Sequence, residues 1–282
     1  MRINNRMLES SVINSCTSDS DTDFLAASQG KYLNENKQGK YLSSYELIID
    51  TVNGLDSTAD GSELLPFKTI TAAYNYLSDF NYNVTFRIKA GTYNEAAMIN
   101  FYKNIINFTI QSFSGTNDVI ISSSSLDNRS SIFNIINSHK VSINNITFNR
   151  NGYNSNGSCI DIDSTAFDIN NCSFKNGYTG IKSSSCNGQI NNCSFENLNN
   201  AINANKASHI LSINNSSNTV NYGVVCNGSF VINYGNELSG TTLDYITTQY
   251  GQVITGESIV AVATGIENDQ VISRGGTDIE WN

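Results

Sequence analysis

Proline is almost absent from this chain of 282 residues, occurring once, at Pro66. Charged residues are also scarce, at 15%, and the hydrophobic share of 39% is below that of an average globular protein. Disordered chains combine low hydrophobicity with many charges and few aromatic residues, whereas this chain has 14 Tyr and 13 Phe. Small polar residues fill the gap, above all 43 Asn. The composition therefore predicts a folded, surface-rich protein and argues against a compact helical enzyme.

Positive charge is in short supply as well. Lys and Arg total 16 against 25 Asp and Glu, which gives a net charge of −9 and a pI near 4.6. Without a basic run such a chain is repelled by phosphate backbones, so we expect no nucleic-acid partner. No stretch approaches the ~20 apolar residues of a membrane span, and residues 1–16 lack the apolar core of a secretory signal. We therefore expect synthesis in a cytosol, with the six Cys reduced.

One short phrase recurs along the chain. Its copies begin with the same two or three residue types and are listed here: Ile143–Phe148, Ile169–Phe174, Ile190–Phe195 and a degenerate copy from Ile213. Their first residues are 26, 21 and 23 positions apart. A second phrase, centred on Ile160, Ile181, Ile202 and Val224, keeps steps of 21, 21 and 22. Two independent phrases with one period indicate a repeat architecture.

The length of the repeat restricts its structure. Each repeat contains short runs in which apolar residues alternate with polar ones, the pattern of a strand, and leaves no room for an additional helix of ten residues. One repeat cannot bury its own apolar face, so the copies must stack. Stacked coils of about 22 residues, ~4.8 Å apart, form an all-β parallel β-helix.

Stacking places equivalent residues in columns. We expect one buried aliphatic column (Ile143, Ile169, Ile190, Ile213), one aromatic column (Phe148, Phe174, Phe195) and one Asn column at a bend (Asn145, Asn171, Asn192, Asn215). Stacked amides can bond along a column, and Asn tolerates the left-handed backbone that a tight bend needs. Cys172 and Cys193 take the inward slot that Ile146 fills in the preceding coil. We expect packed thiols there, close enough to bridge in an oxidising compartment, so their disulfide state stays open.

The remaining segments suggest three regions. Residues 1–48 form an N-terminal attachment or oligomerisation segment with a short helix. Residues 49–239 form the β-helix. Its entry segment, residues 49–83, includes an amphipathic helix over residues 69–80, and its coils cover residues 84–239. This helix can cap the open end of the stack, which otherwise exposes strand edges. Residues 240–282 have short apolar runs between Gly-containing turns and form a small β tail that caps the stack, joins copies of the chain, or both.

Four segments at the start of the second region carry a resemblance: Asn53–Asp56, Asp60–Ser62, Pro66–Ile70 and Ile88–Glu95. They resemble the entry segment of right-handed β-helix proteins of the pectate-lyase-like superfamily, whose coils the Asn-Asn repeats also resemble. The resemblance covers roughly residues 50–236 and implies a right-handed parallel β-helix. It implies little about function, because this fold carries lyases, hydrolases and inert fibres.

A second resemblance involves the N-terminal segment Asp21–Asn34, with the sequence DTDFLAASQGKYLN. It is similar to a short element found near the linkers of bacteriophage tail and fibre proteins. Leu25 and Tyr32 are seven residues apart, as are Ala26 and Leu33, which is the spacing on a helix that packs against copies of itself. An ordinary linker helix is the alternative. The resemblance implies a homotrimer attached to other virion proteins through its N-terminal segment.

The best enzymatic candidates are acidic. Asp161 and Asp163 flank an inward isoleucine, so both carboxylates point outward on one face, as in paired-carboxylate glycoside hydrolysis. Glu196 or Asp168 could contribute from a neighbouring coil. The alternative is an ordinary surface pair, because Asp161 aligns with Lys182 one coil later. The two His lack partners at metal-ligand spacing, so we expect no metal and no cofactor.

The repeat that begins at Ile143 is longer than the others because of a loop at residues 149–157. Loops that protrude from a solenoid are where binding usually occurs. Tyr153, Asn154 and Tyr178 could stack on and hydrogen-bond a sugar ring, although a surface loop without a ligand explains the insertion equally well.

These observations predict a structural and receptor-binding component of a phage particle, a tail fibre or appendage that presents a rigid β-helix to a host surface polysaccharide. It would be made in the bacterial host cytoplasm, become part of the virion and not insert into a membrane. One alternative is a tailspike-like polysaccharide depolymerase, either a hydrolase or a lyase. Another is a head fibre, decoration or baseplate protein without a ligand.

Overall fold

The chain, seen in a computed structural model, forms a parallel β-solenoid, which confirms the predicted fold class. The structure describes the following residues, with only the backbone of the last two ranges: 44–95, 99–122, 130–136, 138–150, 157–235, 238, 240–255, 258–262 and 271–273. The predicted right hand is the one that parallel crossover connections adopt almost without exception.

The described residues contain one helix and 21 strands. In chain order these are β1 (Ser44–Ile49), α1 (Ile70–Tyr76), β2 (Phe80–Ile88), β3 (Gly91–Asn94), β4 (Ile99–Phe101), β5 (Asn104–Ser112), β6 (Val119–Ser122), β7 (Phe133–Ile136), β8 (Lys140–Asn144), β9 (Ile146–Asn149), β10 (Ser158–Asp163), β11 (Ala166–Asn170), β12 (Ser173–Ser184), β13 (Asn187–Asn191), β14 (Ser194–Asn205), β15 (His209–Ile213), β16 (Ser216–Asn227), β17 (Phe230–Tyr234), β18 (Leu243–Thr248), β19 (Gln252–Thr255), β20 (Ser258–Val262) and β21 (Val271–Ser273).

The strands stack into two long sheets. The first has ten strands in the order β1-β2-β5-β8-β11-β13-β15-β17-β19-β20. The second has eleven and follows β4-β7-β10-β12-β14-β16-β18-β21, with β3, β6 and β9 running beside this path and joining it at β12. The long strands β12, β14 and β16 bend midway, so their two halves continue two different rows of strands. All pairs are parallel except β19 with β20 and β18 with β21.

The core lies inside the coils and is built from columns of like side chains. Ile160, Ile181, Ile202 and Val224 stand in register, as predicted, and all are buried. Phe148, Phe174 and Phe195 form the predicted aromatic column, with stacked rings whose centroids are 5.4 and 5.2 Å apart. Each buried Ile or Phe contributes roughly 1.5–3 kcal/mol to stability, so the columns are the main favourable term.

Asparagine has two separate structural roles where one was expected. The predicted bend residues Asn145, Asn171 and Asn192 do have left-handed φ angles of 57°, 53° and 53°. The amide ladder, however, belongs to the residues just before them. Asn170 donates to Asn144 at 3.0 Å and Asn191 donates to Asn170 at 2.9 Å. A second ladder joins the amides of Asn149, Asn176 and Asn197 at 2.9 and 2.8 Å.

The predicted register of the fourth copy is wrong by one residue. Ser212, not Ile213, follows Ile190 in the aliphatic column, and Asn214, not Asn215, takes the left-handed bend with a φ of 51°. Asn215 instead occupies the inward slot of Cys193. It is buried there with its bonds satisfied: its oxygen accepts from the Cys193 N–H at 2.7 Å and its nitrogen donates to the Ile190 carbonyl at 2.8 Å. The register of this coil therefore places two polar residues, Ser212 and Asn215, in the core.

Helix α1 covers the N-terminal part of the stack and is shorter than predicted. Thr69 caps its first turn by accepting from the Ala72 N–H at 3.1 Å, and the buried Glu95 accepts from the Ile70 N–H at 2.9 Å. At the other end the buried Lys103 ammonium donates to the carbonyls of Tyr74 (3.0 Å) and Leu77. Cations suit a helix C-terminus. Leu77 is already extended, so residues 77–80, predicted as helix, lead into β2.

The entry segment that carries the first resemblance consists of turns held by carboxylates. The Asp50 carboxylate accepts from the backbone of Val52 and Asn53 at 2.9 and 3.0 Å and pairs with Lys89 at 3.3 Å. Asp56 accepts from the backbone of Lys68 and Thr69 at 2.7 and 3.0 Å, just before α1. Burial alone would raise the pKa of Asp50, but these hydrogen bonds outweigh it and lower the pKa to about 2.

Both ends of the stack extend further than the sequence predicted. Strand β1 (Ser44–Ile49) pairs with β2, and all but its last residue belong to the predicted N-terminal segment 1–48, so among the described residues the first sheet begins at Ser44. At the other end, β18 and β19 add one more parallel coil without an Asn-Asn phrase, after residue 239. The antiparallel strands β20 and β21 then cover the sheet ends, as a small β tail does. Among the described residues, no helix has the length and apolarity needed to cross a membrane.

We expect Asn171→Ala to lower the free energy of unfolding by about 1 kcal/mol, because Ala is strained in the left-handed region, and Asn171→Gly to change it by less than about 0.5 kcal/mol. Urea denaturation measures both, with the exposed strand variant Asn187→Ala as the control. An equal loss for Ala and Gly would contradict the assigned bend.

The depressed pKa of Asp50 makes stability depend on pH. The ionised carboxylate contributes fully above the ordinary pKa of 3.8, and this contribution is lost as pH falls through about 2. We expect Asp50→Asn to cost roughly 2 kcal/mol of unfolding free energy at pH 7, and this cost to shrink as pH falls from 4 toward 2. A cost that does not vary with pH, in denaturant titrations, would show that Asp50 acts through its shape and not its charge.

Candidate functional site

The acidic candidates point outward, as predicted, but lie on different faces. Asp161 and Asp163 belong to β10, which pairs with the second half of β12. Glu196 lies in the first half of β14 and aligns with Lys175 in the first half of β12. Asp168 lies on the first sheet. The coils therefore separate Glu196 and Asp168 from the Asp161–Asp163 pair.

Three of these carboxylates pair with lysines one coil away. Lys182 reaches Asp161 at 2.8 Å, which confirms the predicted alignment; the other pairs are Lys175–Glu196 at 2.9 Å and Lys140–Asp168 at 2.7 Å. Asp163 accepts from the Ser164 hydroxyl at 2.9 Å. Such half-exposed pairs are ordinary cross-strand contacts worth about 0–1 kcal/mol. Within the described ranges no group of three or more His, Cys, Asp and Glu residues could hold a metal ion.

The cysteines of the described ranges are free and buried. Cys172 and Cys193 lie in adjacent coils in the slot of Ile146, as predicted, and each sulfur approaches backbone carbonyls. Burial raises the pKa of Cys172 well above its ordinary value, and burial likewise raises that of Cys159 to about 12. A protonated, buried thiol is a poor nucleophile, so these residues serve packing.

An exposed tyrosine marks the corner where the long strands bend. Tyr178 continues the column of Gly157 and is followed by Asn199 and Asn221 in the next two coils, as the pairing of the adjacent residues requires. The amides are bonded to each other, Asn221 to Asn199 at 3.0 Å. We call these four residues the Tyr178 corner. It places one aromatic ring, 36% exposed, beside a row of amides.

A buried arginine contacts Gly157, the first member of this corner. The Arg150 side chain, 4% exposed, donates from Nη1 to the Gly157 carbonyl at 2.8 Å, while its backbone N–H donates to Lys175 at 3.0 Å. A Cβ at residue 157 would lie 2.3 Å from Arg150 Nη2, so only Gly fits. The Tyr178 N–H donates to the Gly157 carbonyl at 3.3 Å. The loop therefore ends directly against Tyr178.

Several candidates lie outside the described residues. Tyr153 and Asn154 belong to residues 151–156, and Leu25, Tyr32 and Leu33 to residues 1–43, so they stay predictions. Sequence reasoning missed Asn199 and Asn221 as neighbours of Tyr178. The steps of 21 and 22 residues from Tyr178 would have found both. The contact of Arg150 with Gly157 had no such signal, because it joins residues at two different positions of the coil.

A shallow depression of about 450 Å³ lies at one edge of the first sheet, near its C-terminal end. Its lining residues come from three successive coils: Ala207, His209, Gly228, Ser229, Phe230, Tyr250 and Gln252. Ala207 and Gly228 are the equivalents of Tyr250 in the two preceding coils, and both are small. The His209 and Phe230 rings meet edge to face, with centroids 6.0 Å apart.

Comparisons with known proteins give distant structural likenesses only. No family model and no curated protein matches the chain. A pectin methylesterase from Aspergillus niger is 15% identical, with a TM-score of 0.45 over 78% of this chain and 86% of that one. The GH136 lacto-N-biosidase from Eubacterium ramulus is 9% identical, with a TM-score of 0.39 over 81% and 59%. The pectate lyase Pel9A is 12% identical, with a TM-score of 0.37 over 78% of each chain. Likeness at this level carries no argument about activity, so function has to be argued from the site.

Proposed function

We propose that the chain is a rigid, non-catalytic glycan-binding component of a bacteriophage particle, a tail fibre or appendage that contacts a host surface polysaccharide at the Tyr178 corner. The observation that carries the glycan part is the exposed ring of Tyr178 beside the amides of Asn199 and Asn221. The phage part rests on the resemblance of residues 21–34 and on a stiff stack suited to a fibre. A head fibre, decoration or baseplate position fits the same features.

The chemistry of the corner suits a sugar ring. An aromatic face is an apolar platform with a polar edge, on which the C–H face of a pyranose can lie. Asn199 donates one N–H to the Asn200 oxygen at 3.1 Å and accepts one bond from Asn221. An amide has two N–H groups and two lone pairs, so Asn199 keeps a donor and an acceptor for sugar hydroxyls.

The ladder also prepares the amides for binding. Asn221 is held at both ends, because its nitrogen donates to Asn199 and its oxygen accepts from the Thr241 hydroxyl at 3.2 Å. A side chain already ordered by its neighbours loses little rotamer entropy when a ligand arrives. The ring and the two amides lie on three successive coils, ~4.8 Å apart, so the corner presents an elongated surface that suits an extended polysaccharide.

The carboxylates favour binding over hydrolysis. Glycosidases need two carboxyl groups on opposite sides of the bond, roughly 5–10 Å apart, with one of them protonated at working pH. Here the Asp161 carboxylate is paired with the Lys182 ammonium of the next coil at 2.8 Å, an ordinary cross-strand contact. Glu196 lies on another row of strands and is paired with Lys175. The second candidate, a depolymerase, rests on Asp161 and Asp163 facing outward from one strand.

We expect Tyr178→Ala to weaken binding to a retained polysaccharide at least tenfold, because truncating an aromatic anchor at a binding site typically costs about 2 kcal/mol of binding free energy. The measurement is an array of bacterial capsular and lipopolysaccharide glycans, followed by titration calorimetry on the strongest hit. Tyr82→Ala is the matched control, since Tyr82 is 45% exposed and belongs to β2, far along the chain from the corner. Equal binding by native protein and Tyr178→Ala would contradict the assignment.

The depolymerase alternative makes a different prediction. If the chain only binds, incubation with the same polysaccharide releases no oligosaccharide, as followed by size-exclusion chromatography and reducing-end assay. Release of oligosaccharide by the native protein that is abolished in Asp161→Asn, but kept in Asp168→Asn on the other sheet, would establish the enzyme and overturn the non-catalytic proposal.

A further inference from the structure

One outward column of the first sheet changes character along the stack. It contains Ser142, Asp168 and Gln189 in successive coils, then Leu211, Ile232 and Ile254. The strand pairing places all six in register, so this is one column and not two. Its N-terminal half is polar, as an outer face should be, and its C-terminal half is aliphatic.

The adjacent outward column makes the same change in the same coil. Asn144, Asn170 and Asn191, which form the amide ladder, are followed by Ile213 and Tyr234. The ladder ends there, and the Asn191 oxygen is buried without a bonding partner. Tyr234 is 60% exposed.

The inward column between them changes in the opposite direction. Ile143, Ile169 and Ile190 are followed by the polar Ser212 and Asn233, both buried. The Asn233 side-chain nitrogen donates to the hydroxyl oxygen of Tyr245 at 3.0 Å. In these last coils two outward columns are therefore apolar and one inward column is polar, while the other inward column stays apolar with Ile210, Val231 and Val253.

A sheet is stable in water when its apolar face is covered, and contiguous exposed apolar patches mark contact sites. We propose that Leu211, Ile213, Ile232, Tyr234 and Ile254, which we call the C-terminal face, form the contact between copies of this chain. The C-terminal face adds the location of self-association to the proposed function. It does not depend on glycan binding, because the Tyr178 corner is on the other sheet.

Charge favours a second copy as the occupant. The chain carries a net charge of −9, so two copies repel each other over most of their surface. Of the described residues of the C-terminal face and of the column beside it (His209, Phe230, Gln252), none is acidic or basic apart from the His209 imidazole. Two copies can approach there without bringing like charges together.

Shape favours the same occupant. The face is a straight stripe of stacked side chains along the rod, and an identical stripe has the same spacing, so knobs and gaps of two parallel copies match coil by coil. Its five residues, with the three beside them, are fewer than the 20–30 of a standard interface. We therefore expect an association that dissociates on dilution.

The test is sedimentation velocity of the full chain over a wide concentration range. We expect native protein to sediment at a multiple of its 30.8 kDa mass and to dissociate on dilution. The triple variant Leu211→Ser, Ile232→Ser and Ile254→Ser should need roughly a thousandfold higher concentration to associate, since each of the three aliphatic side chains is worth roughly tenfold. The matched control is Gln189→Ser, which changes the same column one coil earlier and should behave as native.

A single variant guards against misfolding. Ile232→Asp introduces the residue that this column already has at position 168, and it should also dissociate the assembly while the far-ultraviolet circular dichroism and thermal midpoint stay native. Native protein that is monomeric at all concentrations would overturn self-association altogether. Variants that keep the native mass and dissociation range would overturn the C-terminal face alone, and neither result affects the Tyr178→Ala measurement.

Discussion

Parallel, in-register stacking of the coils is the constraint on which the rest of the structure depends. It places every residue ~4.8 Å from its equivalents above and below, so any side chain must be compatible with copies of itself or with its direct complement. Aromatic rings, aliphatic chains and amides satisfy this condition. Like charges do not, and each described ion pair within the repeats joins a lysine to an acid in an adjacent coil, as Lys182 joins Asp161. The scarcity of charge and the abundance of Asn have this common cause.

The same constraint explains which parts of the fold the sequence predicts. Periodicity reports columns directly, so the buried Ile160 and Phe174 columns and the bend at Asn171 follow from the repeat alone. Periodicity gives the wrong register at Ile213, where the fourth copy of the Ile-Asn-Asn phrase is displaced by one residue from its structural position. There the backbone keeps a left-handed bend at Asn214 and accepts Ser212 and Asn215 inside. The step of 22 between Ile202 and Val224 held the correct register, because coil length constrains the backbone more strongly than any one core side chain.

The candidate site was predictable only in part. Tyr178 could be identified as an aromatic residue able to bind a sugar together with the inserted loop, but its amide neighbours required the column, and the hydrogen bond from Arg150 to Gly157 has no periodic signal in the sequence. The carboxylates show the limit of local spacing: Asp161 and Asp163 do share a face, yet Asp161 pairs with Lys182 of the next coil, which spacing within one strand does not report. The end of α1 at Tyr76 likewise depends on Lys103, 27 residues later, whose ammonium binds the free carbonyls.

Function on such a scaffold must lie in outward columns that stop repeating. A column of identical residues reports only stacking, whereas a break means that the local environment has changed. Tyr178 occupies a corner position that the next two coils fill with Asn199 and Asn221, and Leu211 begins an aliphatic run in a polar column while one inward column beside it turns polar. Neither break improves the packing of the isolated chain: an exposed ring and an apolar outer face both cost hydration free energy. Both are therefore best explained by contacts that the chain makes with something else, a polysaccharide at the corner and a second copy on the face.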